Sequence, residues 1–335
     1  MKAIGFKTSH PIDHADSLIQ FDTAVPELRE HDLLVRVSAV SVNPVDTKVR
    51  VRSAQNTTLE TPIVPGFDAV GIVEATGPGA EGFKPGDRVW YAGDVTRAGS
   101  NAEYQAVDAR IAALAPQSLS DAEAAAMPLT ALTGWEALFD RLRINPAEKK
   151  TLLIIGGAGG VGSITTQIAS QLTNLTVIAT ASRPQTDAWV RKMGADHVAN
   201  HRDLVASVKA LGFEHVDYIF NTADTKGHWD AMVELIAPQG LISSIVESDE
   251  PVDLTALQGK SAGFIWELMF TRSMFGTQDI ARQQDILSQL ATLVDEGRIG
   301  TTLGDTLVGF SVETLKEAHR RSESGKTIGK IAITF

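Results

Sequence analysis

One short segment limits this chain more than any other: a glycine-rich turn set between an apolar run and a helix-forming stretch. TLLIIGG (Thr151–Gly157) ends in glycines and has the pattern of a strand buried on both faces. SITTQIASQLT (Ser163–Thr173) follows as a helix. Between them Gly157, Gly159 and Gly162 fit G-x-G-x-x-G, with Ala158, Gly160 and Val161 filling the turn. Gly157 serves the tight turn. Gly159 lets backbone N–H groups approach a pyrophosphate at the positive end of the next helix, and Gly162 lets that helix pack close on the strand. The alternative is a tight turn with no ligand. The strand before and the helix after argue against it, so the pattern predicts a dinucleotide site.

The next strand, TVIATAS (Thr176–Ser182), ends about 20 residues past the loop, where an NAD site carries a ribose-binding carboxylate. This chain has Ser182 and Arg183 there. A hydroxyl and a guanidinium suit a 2′-phosphate, and a carboxylate would repel it. The expected cofactor is therefore NADPH. An exposed loop arginine is the alternative, and Asp187 stands close enough to favour NADH instead.

Strand and helix patterns alternate on both sides of these segments. TDAWVRKMG is a helix closing at Gly194, DHVAN (Asp196–Asn200) a short strand, and HVDYIFNTA (His215–Ala223) and GLISSIV (Gly240–Val246) are strands separated by the helix HWDAMVELI. Such alternation predicts a doubly wound parallel sheet. Before it, the first 125 or so residues read as short strands with Gly/Pro turns: Leu33–Val42, Asp68–Gly77, Asp87–Gly93 and two within Ala102–Pro116. That spacing suggests a β-barrel-like domain. The character changes at DAEAAAMPLTALTGWEALFDRL, helical in composition, with Ser120 or Asp121 as candidate cap. At the other end DILSQLATLVDEGRI is an amphipathic helix and GKIAITF (Gly329–Phe335) a last strand. At 335 residues, two domains are expected.

Composition narrows the chemistry. The chain has no Cys, which excludes disulfides, thiolate metal sites and Cys nucleophiles. Its eight His follow no metal-ligand spacing. A net charge of −11 without a basic run argues against nucleic acid and anionic membranes. With no signal-peptide pattern and no long apolar span, a cytoplasmic location is expected.

Six segments, in order, resemble the medium-chain dehydrogenase/reductase superfamily, and within it the quinone oxidoreductase group and the zinc-type alcohol dehydrogenase-like proteins. They are SVNPVDTKVR (Ser41–Arg50), PGFDAVGIVEATG (Pro65–Gly77), KPGDRVWYAG (Lys84–Gly93), AAAMPLTALTGWEAL (Ala124–Leu138), LIIGGAGGVGS (Leu153–Ser163) and GKIAITF. The resemblance implies an α/β protein: a GroES-like, β-barrel-type substrate domain over 1–126 and 277–335, and a Rossmann domain over 127–276. It further implies a homodimer. Zinc-dependent members hold the metal with Cys, His and Cys, where this chain has Asn43, Phe67 and Leu129, and the proton-relaying Ser of many of them is Val45 here. Phe and Leu cannot ligate, so zinc is not expected. A carbonyl then loses its electrophile, which favours substrates that are already electron-poor.

The same resemblance singles out further residues. Asn43 and Asp46 follow a strand in the segment that lines the substrate cleft, although both also suit a turn beside Pro44. Lys48 stands where many quinone reductases carry Tyr; it is either a donor to a developing oxyanion or a residue on a solvated face. Thr130 and Thr133 fall near the nicotinamide and phosphates, or else cap backbone. His201 takes the place of an adenosine-contacting Tyr, and either touches the 2′-phosphate or is an incidental loop residue. Asn221, Thr222, Ile245 and Val246 end parallel strands and contact the cofactor through backbone. Phe264, Trp266, Met269 and Phe270 line a substrate pocket, a core or a subunit interface. Together these residues predict a zinc-independent, NADPH-dependent reductase of quinones or α,β-unsaturated carbonyl compounds. The alternatives are a zinc-type alcohol dehydrogenase and a non-catalytic NADPH-binding redox sensor.

Overall fold

The computed structural model describes residues 1–335, which form two compact units. One comprises Met1–Leu129 with Phe270–Phe335, the other Thr130–Met269.

In the first unit the chain begins with a two-stranded antiparallel ribbon, β1 (Lys2–Gly5) and β2 (Ile19–Asp22). The long strand β3 (Asp32–Val42) leads into helix α1 (Pro44–Arg52). Then come β4 (Asp68–Thr76), β5 (Arg88–Tyr91), β6 (Tyr104–Asp108) and β7 (Ala112–Leu114). In β3, Leu33, Val35 and Val37 point inward with the period of two that strands impose, and after a bulge at Ser38 the inward set becomes Val40 and Val42. That phase change decides which face Ser41 and Asn43 join. Helix α1 covers the stretch in which Asn43 and Asp46 also suit a turn. Its start has a local cause: Pro44 stands at the first helical position and the Asp46 carboxylate accepts the Asn43 N–H at 2.6 Å. The helical stretch after Ser118 is broken in two, α2 (Asp121–Ala125) and α3 (Pro128–Trp135), because Pro128 cannot continue a helix, and it ends in a π-helical turn over Glu136–Arg141. Ser120 is the cap of α2, in a box with Glu123.

The second unit is a six-stranded, all-parallel sheet. Its elements are β8 (Thr151–Ile155), α4 (Gly160–Leu172), β9 (Thr176–Thr180), α5 (Pro184–Lys192), β10 (His197–Ala199), α6 (Leu204–Ala210), β11 (Val216–Asn221), α7 (Thr225–Leu235), β12 (Ile236–Ser244) and β13 (Gly263–Trp266). The strand order β10-β9-β8-β11-β12-β13 reverses between β8 and β11, which makes the carboxyl ends of those two strands the binding crevice. β13 carries Phe264 and Trp266, which sequence patterning leaves unassigned. Phe264 packs edge-on to Trp229 at 5.5 Å in the core, whereas Trp266 is 49% exposed on the last strand.

The chain then returns to the first unit through α8 (Thr271–Phe275), α9 (Arg282–Asp295), β14 (Leu303–Val308), α10 (Val312–Glu323) and β15 (Lys330–Thr334). β15 lies antiparallel to β3 and completes its sheet, with Ile331 opposite Val42. Met269 and Phe270 are both buried, the latter edge-on to Phe67 at 5.1 Å. No helix is long and apolar enough to cross a membrane.

Helix α10 buries His319 completely, with both ring nitrogens unpartnered. Burial and the nearby Arg50 guanidinium push its pKa down to about 3 from 6.5. The unfolded chain therefore binds a proton on His319 that the folded chain refuses, so stability present above about pH 6.5 is lost as pH falls toward 3. His319→Leu should narrow the loss of melting temperature between pH 7 and pH 5 by about 2–4 °C, equivalent to about 2 kcal/mol. Equal losses in parent and variant would show that His319 takes its proton without unfolding.

Candidate functional site

The glycine loop separates three reasons for being glycine. The left-handed conformation falls on Gly156, at φ +85°, one residue before the motif's first glycine; a Cβ there would also meet Thr222 Oγ1 at 2.4 Å. Gly157 and Gly162 are crowded by the protein itself: their Cβ atoms would lie 2.9 Å from Ala179 Cβ and 2.3 Å from the Gly156 carbonyl. Gly159 is different. A Cβ there meets nothing closer than 3.5 Å. It is also the cap of α4, and no side chain caps that helix, whereas α7 and α10 have Asp224 and Ser311 in that role. The first backbone N–H groups of α4, from Gly160 on, are thus left to a ligand, and the 13-residue helix adds its positive end. The cradle fits a pyrophosphate.

The neighbouring strand ends supply the rest. Thr180 Oγ1 accepts the Gly156 N–H at 2.9 Å, and Thr222 Oγ1 donates to the Ile155 carbonyl at 2.8 Å, so both threonines hold the turn. The Asn221 side chain is consumed in the protein, donating to Thr225 Oγ1 and Ser244 Oγ. That leaves backbone as its route to a cofactor. Ile245 and Val246 follow β12 at the same carboxyl edge. Ser182 and the exposed Arg183 follow β9, and His201 follows β10 beside it. Asp187, the residue that argues for NADH, is paired with Arg191 at 2.8 Å one turn along α5. Thr130 and Thr133 are buried on α3, three residues apart.

In the first unit the structure gathers a buried polar cluster. Asp68, wholly inaccessible, accepts from Ser41 Oγ at 2.7 Å, Asn43 Nδ2 at 2.8 Å, Lys330 Nζ at 3.1 Å and the Leu129 N–H at 2.7 Å. The Lys330 ammonium also donates to the Val42 carbonyl at 3.0 Å and to Asn43 Oδ1, which uses its three protons. Asp46 adjoins through Asn43 and accepts the Gly66 N–H at 3.0 Å. Burial pushes the Asp46 carboxyl up to about 7; the Asn43 and Gly66 N–H groups and the charge of Lys330 oppose that rise, and Asp68 adds to it. Lys48 lies two residues further along α1, about 200° around the helix, on a different face from Asp46.

Sequence reasoning named Asn43 and Asp46 but missed Asp68, Ser41 and Lys330. The available signal was a charged residue opening each of two apolar strands, DAVGIV and KIAI. This donor set does not fit zinc. Asn43 Oδ1 is already taken by Lys330, Phe67 packs on Phe270, and Leu129 offers only a backbone N–H bound to Asp68. No group of three His, Cys, Asp or Glu side chains could hold a metal ion.

Residues 29–117 match the alcohol dehydrogenase GroES-like domain, and residues 193–333 match a zinc-binding dehydrogenase model. A zinc-type alcohol dehydrogenase-like protein of Staphylococcus aureus is 44% identical over all of both chains. An NADPH-dependent alkenal/one oxidoreductase of Arabidopsis thaliana is 27% identical over 94% of this chain and 75% of that one. Among solved structures, a putative zinc-dependent alcohol dehydrogenase of Rhizobium etli is 47% identical with a TM-score of 0.95, covering 100% of this chain and 98% of that one. The Escherichia coli quinone oxidoreductase complexed with NADPH shares the fold at 24% identity and a TM-score of 0.83, over all of both chains.

Open space at Gly159 makes a clean test of the cradle. Gly159→Val should leave the melting temperature nearly unchanged and weaken dinucleotide binding by about two orders of magnitude, equivalent to about 2.8 kcal/mol. Gly162→Val, which collides with the Gly156 carbonyl, should instead destabilise the fold. Undiminished binding by a folded Gly159→Val protein would mean that the phosphates lie elsewhere.

Proposed function

The chain belongs to the zinc-type alcohol dehydrogenase-like proteins of the medium-chain dehydrogenase/reductase superfamily, and from that premise we propose that it is a zinc-independent, NADPH-dependent reductase of quinones or other α,β-unsaturated carbonyl compounds. The observation that carries the reading is the set of side chains at the family's metal-ligand positions. Asn43, with its Oδ1 taken by Lys330, Phe67 and Leu129 cannot hold a metal, and a plain ketone then lacks its electrophile. An acceptor conjugated to a carbonyl needs less help. The Arabidopsis relative, named for alkenal and alkenone substrates and for NADPH, supports the same class.

NADPH, when bound, supplies the hydride. The N–H groups at the start of α4 hold its pyrophosphate. Ser182 and Arg183 bind the 2′-phosphate, and Asp187, the carboxylate that would oppose it, is paired with Arg191 one turn along α5. Backbone of Thr222, Ile245 and Val246 and the hydroxyls of Thr130 and Thr133 orient the dinucleotide. Asn43 is held in one rotamer by Lys330 and Asp68, so an amide polarised by an ammonium is ready for a ribose or substrate oxygen. Catalysis then rests on proximity and orientation.

A homodimer goes with this reading. β13 leaves one edge of the sheet unpaired, flanked by Trp266 and Leu268, each about half exposed. Light scattering should give twice the chain mass for the parent and a lower mass for Trp266→Lys. A monomeric parent would overturn the dimer.

The activity itself is tested by oxidation of NADPH against a panel of quinones, enones, aldehydes and alcohols, with and without chelator. Turnover should appear with quinones or enones and survive chelation. Tight NADPH binding without turnover would favour a redox sensor, and chelator-sensitive turnover of alcohols would restore zinc chemistry.

A further inference from the structure

A second recognition element stands beside the 2′-phosphate position. His201 follows β10, which runs parallel to β9, the strand that leads to Ser182 and Arg183. His228 sits in the first turn of α7, after the carboxyl end of β11. The two rings meet edge to face, with centroids 6.5 Å apart and planes at 85°. Both are half-buried at the carboxyl edge of the sheet, on the adenosine side of the crevice.

The charges around the pair come from three elements. Arg183, at the start of α5, and Arg202, in the turn after β10, act on His201. His201 and Asp224, the cap of α7, act on His228. Burial and the neighbouring positive charge hold both imidazoles below the usual histidine range, with Asp224 opposing this at His228. Their surroundings therefore favour the uncharged form of both rings in the free protein.

We propose that His201 and His228 form a proton-linked reader of the cofactor's 2′-phosphate, so that the preference for NADPH over NADH strengthens as pH falls. The proposal rests on the NADPH reading above and adds the mechanism of its selectivity. A dianionic phosphate set between Arg183 and His201 reverses the local field that keeps the rings neutral. Binding then draws a proton onto the pair, and the phosphate gains a cation that a site without phosphate does not create. By linkage, affinity rises with falling pH wherever the bound state holds more protons, by up to about tenfold per pH unit for one fully coupled proton. The gain should end near about pH 6, where the phosphate takes up its own proton. NADH has nothing at that position, so its affinity should stay flat.

Calorimetric titration of NADPH and NADH at about pH 7, in two buffers of different ionisation enthalpy, counts the protons directly. Dissociation constants at about pH 8, 7 and 6.5 give the linked affinity. The expected result is net proton uptake with NADPH only, an NADPH:NADH affinity ratio that rises several-fold across this range, and loss of both effects in His201→Gln/His228→Gln. Uptake that persists undiminished in the double variant, or its absence in the parent, would sink the histidine reader. Failure of the underlying reading looks different: a parent that binds NADPH no more tightly than NADH at any pH overturns the cofactor assignment itself.

Discussion

The first unit is organised around one carboxylate that has no access to water. Asp68 takes hydrogen bonds from the end of β3, the start of α1, the first turn of α3 and, through Lys330, the last strand of the chain. An isolated charge with no access to water is not tolerated in a protein interior; it is neutralised, paired or never buried. The pairing with Lys330 therefore does more than add an ion pair. It requires the tail to return and lay β15 against β3, and removing one partner of such a pair costs about 3–5 kcal/mol because the other is left uncompensated. The first and last segments of the unit are bound to one another at the point where Asn43 is presented.

That arrangement differs from a metal centre, although relatives carry zinc in their names. The cluster keeps positive charge, carboxylate and amide in a fixed order, but the cation is covalently part of the chain and all its protons are used internally. It holds Asn43 in place and does not accept a substrate oxygen as a metal would. The second unit makes the opposite choice. At α4 it leaves a helix end without a side-chain cap, and it spends glycines to keep that end open. One unit satisfies every polar group it buries at its site, and the other leaves backbone donors free for an anion.

How legible each part was follows from the range of its causes. The nucleotide turn could be read because strand, glycines and helix are consecutive residues, and Ser182 and Arg183 because the next strand sets their distance. The start of α1 carried its own signature in Asn43, Pro44 and Asp46, but the same residues suit a turn, and only the Asp46 to Asn43 hydrogen bond separates the two. The left-handed residue proved to be Gly156, because the turn is shaped by Thr222 from a different strand. β13 went unassigned because its four residues show no alternation, and its place comes from pairing with β12.

Sequence alone determined the class of the protein: a parallel sheet with a dinucleotide turn, a barrel-type partner built from short strands, no thiolate chemistry, and a basic residue where a ribose carboxylate would exclude a phosphate. These are properties of neighbouring residues, and backbone sterics and periodicity act over a few positions. The tertiary structure decided which polar groups meet. Asp68 and Lys330 are 262 positions apart, and either one alone reads as a solvated strand end. His201 and His228 are likewise ordinary loop and helix residues until two strands place them ring to ring. The energy of a buried charge depends on partners brought from far along the chain, and that information exists only once the chain has closed on itself.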